Sequence, residues 1–128
     1  MVQEEQESER VDEAAFVQPR PQHQPSLIDK LAASVQAASG ESSLGKNDLA
    51  TAETFFAEAV SLSPNNAEYR HRFATILARL DKFEDAVQHC QIACDIQPRN
   101  PGYLNDLGFI LVQMEEFAKA EPYFKAAA

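Results

Sequence analysis

The chain repeats itself every 34 residues, and that period restricts its fold more than any other feature. In this register Ala52, Ala86 and Ala120 coincide, as do Ala59, Ala93 and Ala127. Small residues coincide at Gly40, Ala74 and Gly108, and large apolar ones at Leu49, Phe83 and Phe117. Phe56, Cys90 and Phe124 share a position, with Cys as the smaller apolar choice. Pro64 matches Pro98, Asn66 matches Asn100, Tyr69 matches Tyr103, Phe73 matches Leu107, and Leu77 matches Leu111. Each period holds two apolar-periodic halves around a short polar break, as at Asp81-Lys82. Alanines spaced like Ala86 and Ala93 lie on one helix face, and a small residue such as Ala74 or Gly108 lets a second helix approach its backbone. One such hairpin cannot bury its apolar face alone, so neighbours must stack into a continuous core.

At these residues the chain resembles the tetratricopeptide repeat family. The large-small pair early in that family's unit appears as Phe73-Ala74 and Leu107-Gly108. The later Ala, aromatic, Ala and Pro appear as Ala52, Phe56, Ala59 and Pro64, and with Cys90 in the aromatic place as Ala86, Ala93 and Pro98. Ala120, Phe124 and Ala127 continue the pattern to the last residue given. Arg70 and Leu104 stand where a bulky aromatic is common, and Asp81 and Glu115 where a turn Gly is usual; both departures fall at positions expected to be tolerant. The resemblance spans roughly 33–128. It implies an all-α, right-handed superhelical stack of about three helix-turn-helix units, an α-solenoid with repeats near 33–66, 67–100 and 101–128 in a domain over 26–128.

Local signals fill in the units. Ser26 with Asp29 reads as a capping box opening the first helix, whose Leu27, Leu31, Val35 and Ala38 recur at helical spacing. Ser39 and Ser43 stand where Phe73 and Leu77 stand later, and the SGESSLG stretch reads as a frayed end or a small insertion. Asp48 and Asn66 are expected caps, and Asn100-Pro101 is a cap followed by Pro at the first helical position. Asp81 with Glu84 reads as another capping box, and Pro122 predicts a late start or a mild kink in the last helix. Residues 1–25 read as an acidic, Pro-containing disordered tail, with Pro19, Pro21 and Pro25 in an extended stretch.

The resemblance also implies a non-enzymatic protein–protein interaction scaffold that holds a peptide or partner helix in its concave groove. First helices line that groove, and the period points His71, Arg72, Thr75 and Arg79 into it from the second unit, with Asn105, Asp106, Phe109 and Gln113 from the third. Phe109 is there either an anchor for a ligand's apolar side chain or packing for a neighbouring helix. Some members clamp a chaperone peptide's carboxylate with Lys and Asn, but those positions carry Ala37, Glu41, Arg72, Gly102 and Asp106, so the clamp is missing. Asp106 would favour a cationic group instead.

Charge and motif content narrow the alternatives. A net charge of −9 disfavours nucleic acid and anionic membranes, and favours a basic protein partner. No apolar run suffices for membrane insertion, and the acidic start lacks a leader's features, so a cytoplasmic location is expected. His89, Cys90 and Cys94 resemble a metal cluster, but zinc requires four ligands and no second Cys pair exists, so neither metal nor cofactor is expected. The carboxylate pairs Glu84-Asp85 and Glu115-Glu116 sit at helix starts, where they complement the dipole. With no phosphate loop or nucleophile set, the chain is not read as an enzyme. Two alternatives stand beside the scaffold. One is an adaptor part of a larger enzyme such as a transferase. The other is self-association through the last helix, using Tyr123, Phe124 and Ala127.

Overall fold

A computed structural model describes residues 24–128. The described residues form six helices: α1 Leu27–Gly45, α2 Leu49–Leu62, α3 Ala67–Arg79, α4 Phe83–Ile96, α5 Pro101–Gln113 and α6 Phe117–Ala127. They pack as hairpins α1/α2, α3/α4 and α5/α6, and successive hairpins join through α2/α3 and α4/α5. This is the all-α stacked helical repeat that the 34-residue period requires. The tail read over 1–25 lies, but for Gln24 and Pro25, outside the described residues.

First helices and α2 are capped by short polar side chains. The Asp29 N–H donates to the Ser26 hydroxyl at 3.1 Å while the Ser26 N–H donates to the Asp29 carboxylate at 3.0 Å, a full capping box. Asp48, Asn66 and Asn100 accept from Thr51, Tyr69 and Tyr103 N–H groups at 3.2, 3.0 and 3.1 Å. The Asp81–Glu84 capping box does not form: α4 is capped at Lys82 without a side-chain hydrogen bond. Asp81 is used otherwise. It takes φ 61°, as Asn47 takes φ 57° and Glu115 φ 63°, one left-handed residue in each hairpin turn. The bonds Asp48 N–H to Ser43 C=O, Lys82 to Leu77 and Glu116 to Leu111 close each turn, which is the Schellman pattern that ends a helix at a left-handed residue. These positions are therefore demanding rather than tolerant, since a side chain there costs about 1–2 kcal/mol.

One further expectation is corrected and another is narrowed. α1 runs unbroken to Gly45, with neither fraying nor insertion, and its Ser39 and Ser43 hydroxyls donate to the Val35 and Ser39 carbonyls at 3.1 and 3.0 Å. That satisfaction lets Ser43 sit buried in the place of Leu77 and Leu111. α6 starts at Phe117, not late, and continues through Pro122.

The core follows from close approach within each hairpin. Ala52, Phe56, Ala59 and Ile76 centre one cluster, and Ala74, Cys90, Leu107 and Ala120 belong to another. A Cβ on Gly40 would lie 2.5 Å from the Phe56 ring, and one on Gly108 2.7 Å from the Phe124 ring. In the middle hairpin the small residue is Ala74 and the facing side chain shrinks to Cys90, both fully buried. Gly faces Phe and Ala faces Cys, so the methyl added on the first helix is met by a smaller side chain on the second.

Gly40→Ala gains about 1 kcal/mol of helix propensity but costs about 1–3 kcal/mol through overpacking. Chemical denaturation should show a net loss of stability, and a cycle with Phe56→Cys should show the two changes compensating, not adding. Glu115→Gly should raise stability by about 1 kcal/mol in the same measurement, because it removes left-handed strain without touching the core.

Candidate functional site

Of the residues expected to line the groove, His71, Arg72, Thr75 and Arg79 belong to α3, and Asn105, Asp106, Phe109 and Gln113 to α5. Adjacent units bring several of them together. The His71 imidazole donates from Nε2 to Asp106 Oδ2 at 2.5 Å, tying α3 to α5, and its ring lies 4.6 Å from Tyr103. Arg72 pairs with Glu41 of α1 at 3.0 Å. Arg79 donates to the Asn47 side chain at 3.2 Å, anchoring the end of α3 to the α1–α2 turn. The Thr75 hydroxyl turns onto its own helix and donates to the Arg72 carbonyl at 2.8 Å. Asn105 and Gln113 are exposed on α5.

Phe109 packs against its own hairpin and yet stays largely open. Its ring meets Phe124 edge-on at 5.5 Å, yet the residue is 61% exposed. The face thus presents one open aromatic flanked by amides, while Arg72 with Glu41 and His71 with Asp106 pair across unit junctions and Arg79 bonds to an amide. Such exposed pairs contribute at most about 1 kcal/mol each, so their main effect is to settle the local charge.

Two arrangements escaped the sequence reading. Arg70, which replaces the usual aromatic, donates from Nε to the Pro64 carbonyl at 2.8 Å and from Nη1 to His89 Nδ1 at 3.0 Å. His89 also packs edge-on against Phe73 at 4.7 Å. Burial, then the neighbouring Arg70 cation, hold the His89 imidazole below its ordinary pKa, and Asp85 pulls the other way. A cation in an aromatic position beside a second-helix His was the available signal. The other is a cleft of about 570 Å³ between α4 and α6, floored by Leu104, Leu107 and Leu111 and bridged by the Tyr123 hydroxyl donating to Gln91 Oε1 at 2.8 Å.

Cys90 and Cys94 are buried free thiols. Contact with Cys94, then burial, pushes the Cys90 thiol far above its ordinary range, so it stays protonated. Its S–H donates to the Tyr103 carbonyl at 3.6 Å, consistent with a packing role. Among the described residues no three His, Cys, Asp or Glu side chains gather as a metal site, and no helix is long and apolar enough to cross a membrane.

No family model matches the chain, and neither does any curated protein. Solved structures do. The TPR domain of Arabidopsis OM64 superimposes with a TM-score of 0.73 at 24% identity, over 77% of this chain and 82% of that one. The TPR2B domain of yeast Sti1, in complex with pHsp70, gives a TM-score of 0.72 at 23% identity, over 76% and 78%. A structure of MamA from AMB-1 gives 0.70 at 23% identity, over 74% of this chain and 52% of that one, so the chain spans about half its length. The fold is that of the tetratricopeptide repeat, a stack of helix hairpins.

His89 generates a pH prediction. With its folded pKa below the unfolded value of 6.5, the unfolded chain binds the proton more readily. The stability His89 supports is present above pH 6.5 and is lost as pH falls from there through the lower folded value. Urea midpoints measured from pH 8 to 5 should fall for the natural chain and fall less for His89→Gln, which keeps an acceptor for Arg70.

Proposed function

We propose that residues 26–128 form a non-enzymatic interaction domain that holds a peptide or partner helix across the face of α1, α3 and α5. The observation that carries this reading is Phe109, an aromatic left 61% exposed on a helix face whose charged neighbours are already paired. A large amphipathic or apolar side chain gains most from such a surface, because it covers the ring without stripping water from an unpaired charge. Asn105 and Gln113, exposed on the same helix, would supply hydrogen bonds to a ligand backbone. His71, Arg72, Thr75, Arg79 and Asp106 act in this reading as the rigid floor, not as direct contacts.

Two observations on other proteins support the class of partner. Yeast Sti1 TPR2B is seen in complex with pHsp70. The CopN–Scc3 complex shares the fold at a TM-score of 0.71 and 15% identity. The net charge of −9 favours a protein partner over nucleic acid, and a cytoplasmic setting agrees with two buried free thiols.

Selection of a random peptide library on the full chain tests the proposal. Selected peptides should share an aromatic or branched apolar residue, and Phe109→Ala should weaken them about tenfold or more while leaving the helical circular dichroism unchanged. Peptides that bind equally well to Phe109→Ala and to Asn105→Ala would place the site elsewhere.

A further inference from the structure

The two unit junctions hold different side chains at the same places of the 34-residue period. At the first, helices α2, α3 and α4 are cross-linked. Arg70 of α3 donates to His89 Nδ1 of α4 at 3.0 Å, and Phe73 packs edge-on against the same imidazole at 4.7 Å. Lys82, the cap of α4, pairs with Glu53 of α2 at 2.7 Å.

One period later these positions hold Leu104 for Arg70, Tyr123 for His89, Leu107 for Phe73, Glu116 for Lys82 and Val87 for Glu53. All five line the cleft between α4 and α6. Its remaining wall narrows the side chain as well, since Ile92 of α4 becomes Ala126 of α6. Leucine and valine cannot make the polar links of the first junction, and a space of about 570 Å³ stands over the α5 floor.

The cleft opens on a side of the stack that a following hairpin leaves free. Its α6 wall residues Lys119, Pro122, Tyr123 and Ala126 are in register with Asp85, Gln88, His89 and Ile92 of α4. None of those four is buried, although α5 packs on α4.

The lining sets the chemistry of an occupant. Leu104, Leu107 and Leu111 run along the floor for about 10 Å. A cleft of this volume, apolar with few polar groups, is of the kind that holds small molecules. One polar pair borders it, Tyr123 donating to Gln91 Oε1 at 2.8 Å, and the Tyr123 oxygen can still accept a hydrogen bond. The charges at the rim, Lys119 and Glu116, stand 3.7 Å apart and offset each other. A charged group inside would lose hydration without gaining a counter-ion. Both walls are helices, whose interior backbone groups bond within the helix and offer little to an extended peptide.

We propose that the cleft between α4 and α6 binds a small, uncharged, mainly apolar molecule carrying one hydrogen-bond donor for the Tyr123 oxygen. Phe109 and the other residues of the peptide-binding face proposed above do not line it, so the two readings fail separately.

Fluorescence titration of the full chain with phenylnaphthylamine, an uncharged aromatic amine with one N–H, tests this. Its sulfonated analogue, anilinonaphthalenesulfonate, is the charged counterpart. The natural chain should bind the uncharged probe saturably at one site, and the sulfonate about tenfold or more weakly. Ala126→Phe, at an exposed wall position, should fill the cleft and weaken the uncharged probe about tenfold or more, with circular dichroism unchanged. Val87→Glu combined with Glu116→Lys rebuilds the Lys82–Glu53 link at this junction and should weaken the probe likewise. Phe109→Ala should leave its affinity as it was. The proposal is overturned by absence of saturable binding, by affinity that survives both closures, by equal affinity for the sulfonate, or by a loss on Phe109→Ala alone. Library-selected peptides that Ala126→Phe abolishes and Phe109→Ala spares overturn it too, since the occupant would then be a polypeptide.

Discussion

Each hairpin closes around a single contact, in which a second-helix side chain lies directly on the backbone of the first helix. Phe56 on Gly40, Cys90 beneath Ala74 and Phe124 on Gly108 are three solutions to that constraint. How closely the two helices can approach depends on both facing residues, not on either alone. Helix separation in turn fixes how far the alanines Ala52, Ala59, Ala86 and Ala93 are pressed into contact with the next unit, where all four are fully buried. The stack therefore inherits its geometry from the hairpin, and small residues matter at least as much as large ones.

The polar residues of the α1–α3–α5 face sit on that frame as junction pieces. Arg72 and His71 look on the sequence like ligand-facing charges, but each finds its opposite on a neighbouring unit. Surface pairs of this kind add little stability, and they leave a face whose character is set by Phe109 and amides. Under the proposed binding role such a face would discriminate by shape and apolar contact more than by net charge, although the acidity of the whole molecule would still influence encounter.

Much of the fold was legible because the repeat is a statement about packing: helix number, hairpin pairing and the caps at Ser26, Asp48, Asn66 and Asn100 all follow from local pattern. The turns were not. Asp81 and Glu84 fit a capping-box spacing, but spacing cannot reveal that the chain leaves α3 through a left-handed residue, which consumes Asp81 and moves the cap to Lys82. The serines of α1 misled for a related reason, since hydroxyls that bond to their own helix behave as small buried residues. The face was legible only as a roster. Which of its residues meet each other depends on the tilt between units, and no single period contains that quantity. Arg70 with His89 belongs to the same category, because its partners lie on two other elements of the stack.

The junction pairs also carry information about order. Arg72 of the second unit is matched to Glu41 of the first, and Asp106 of the third to His71 of the second. Were the second unit copied in tandem, its Arg72 would meet His71 and Thr75 of the preceding copy in place of Glu41; a copied third unit would set Asp106 against Asn105 and Phe109. The units share a backbone but are not interchangeable modules. Their order is marked by complementary side chains, and a simple duplication would leave the copied unit's polar contacts unmade.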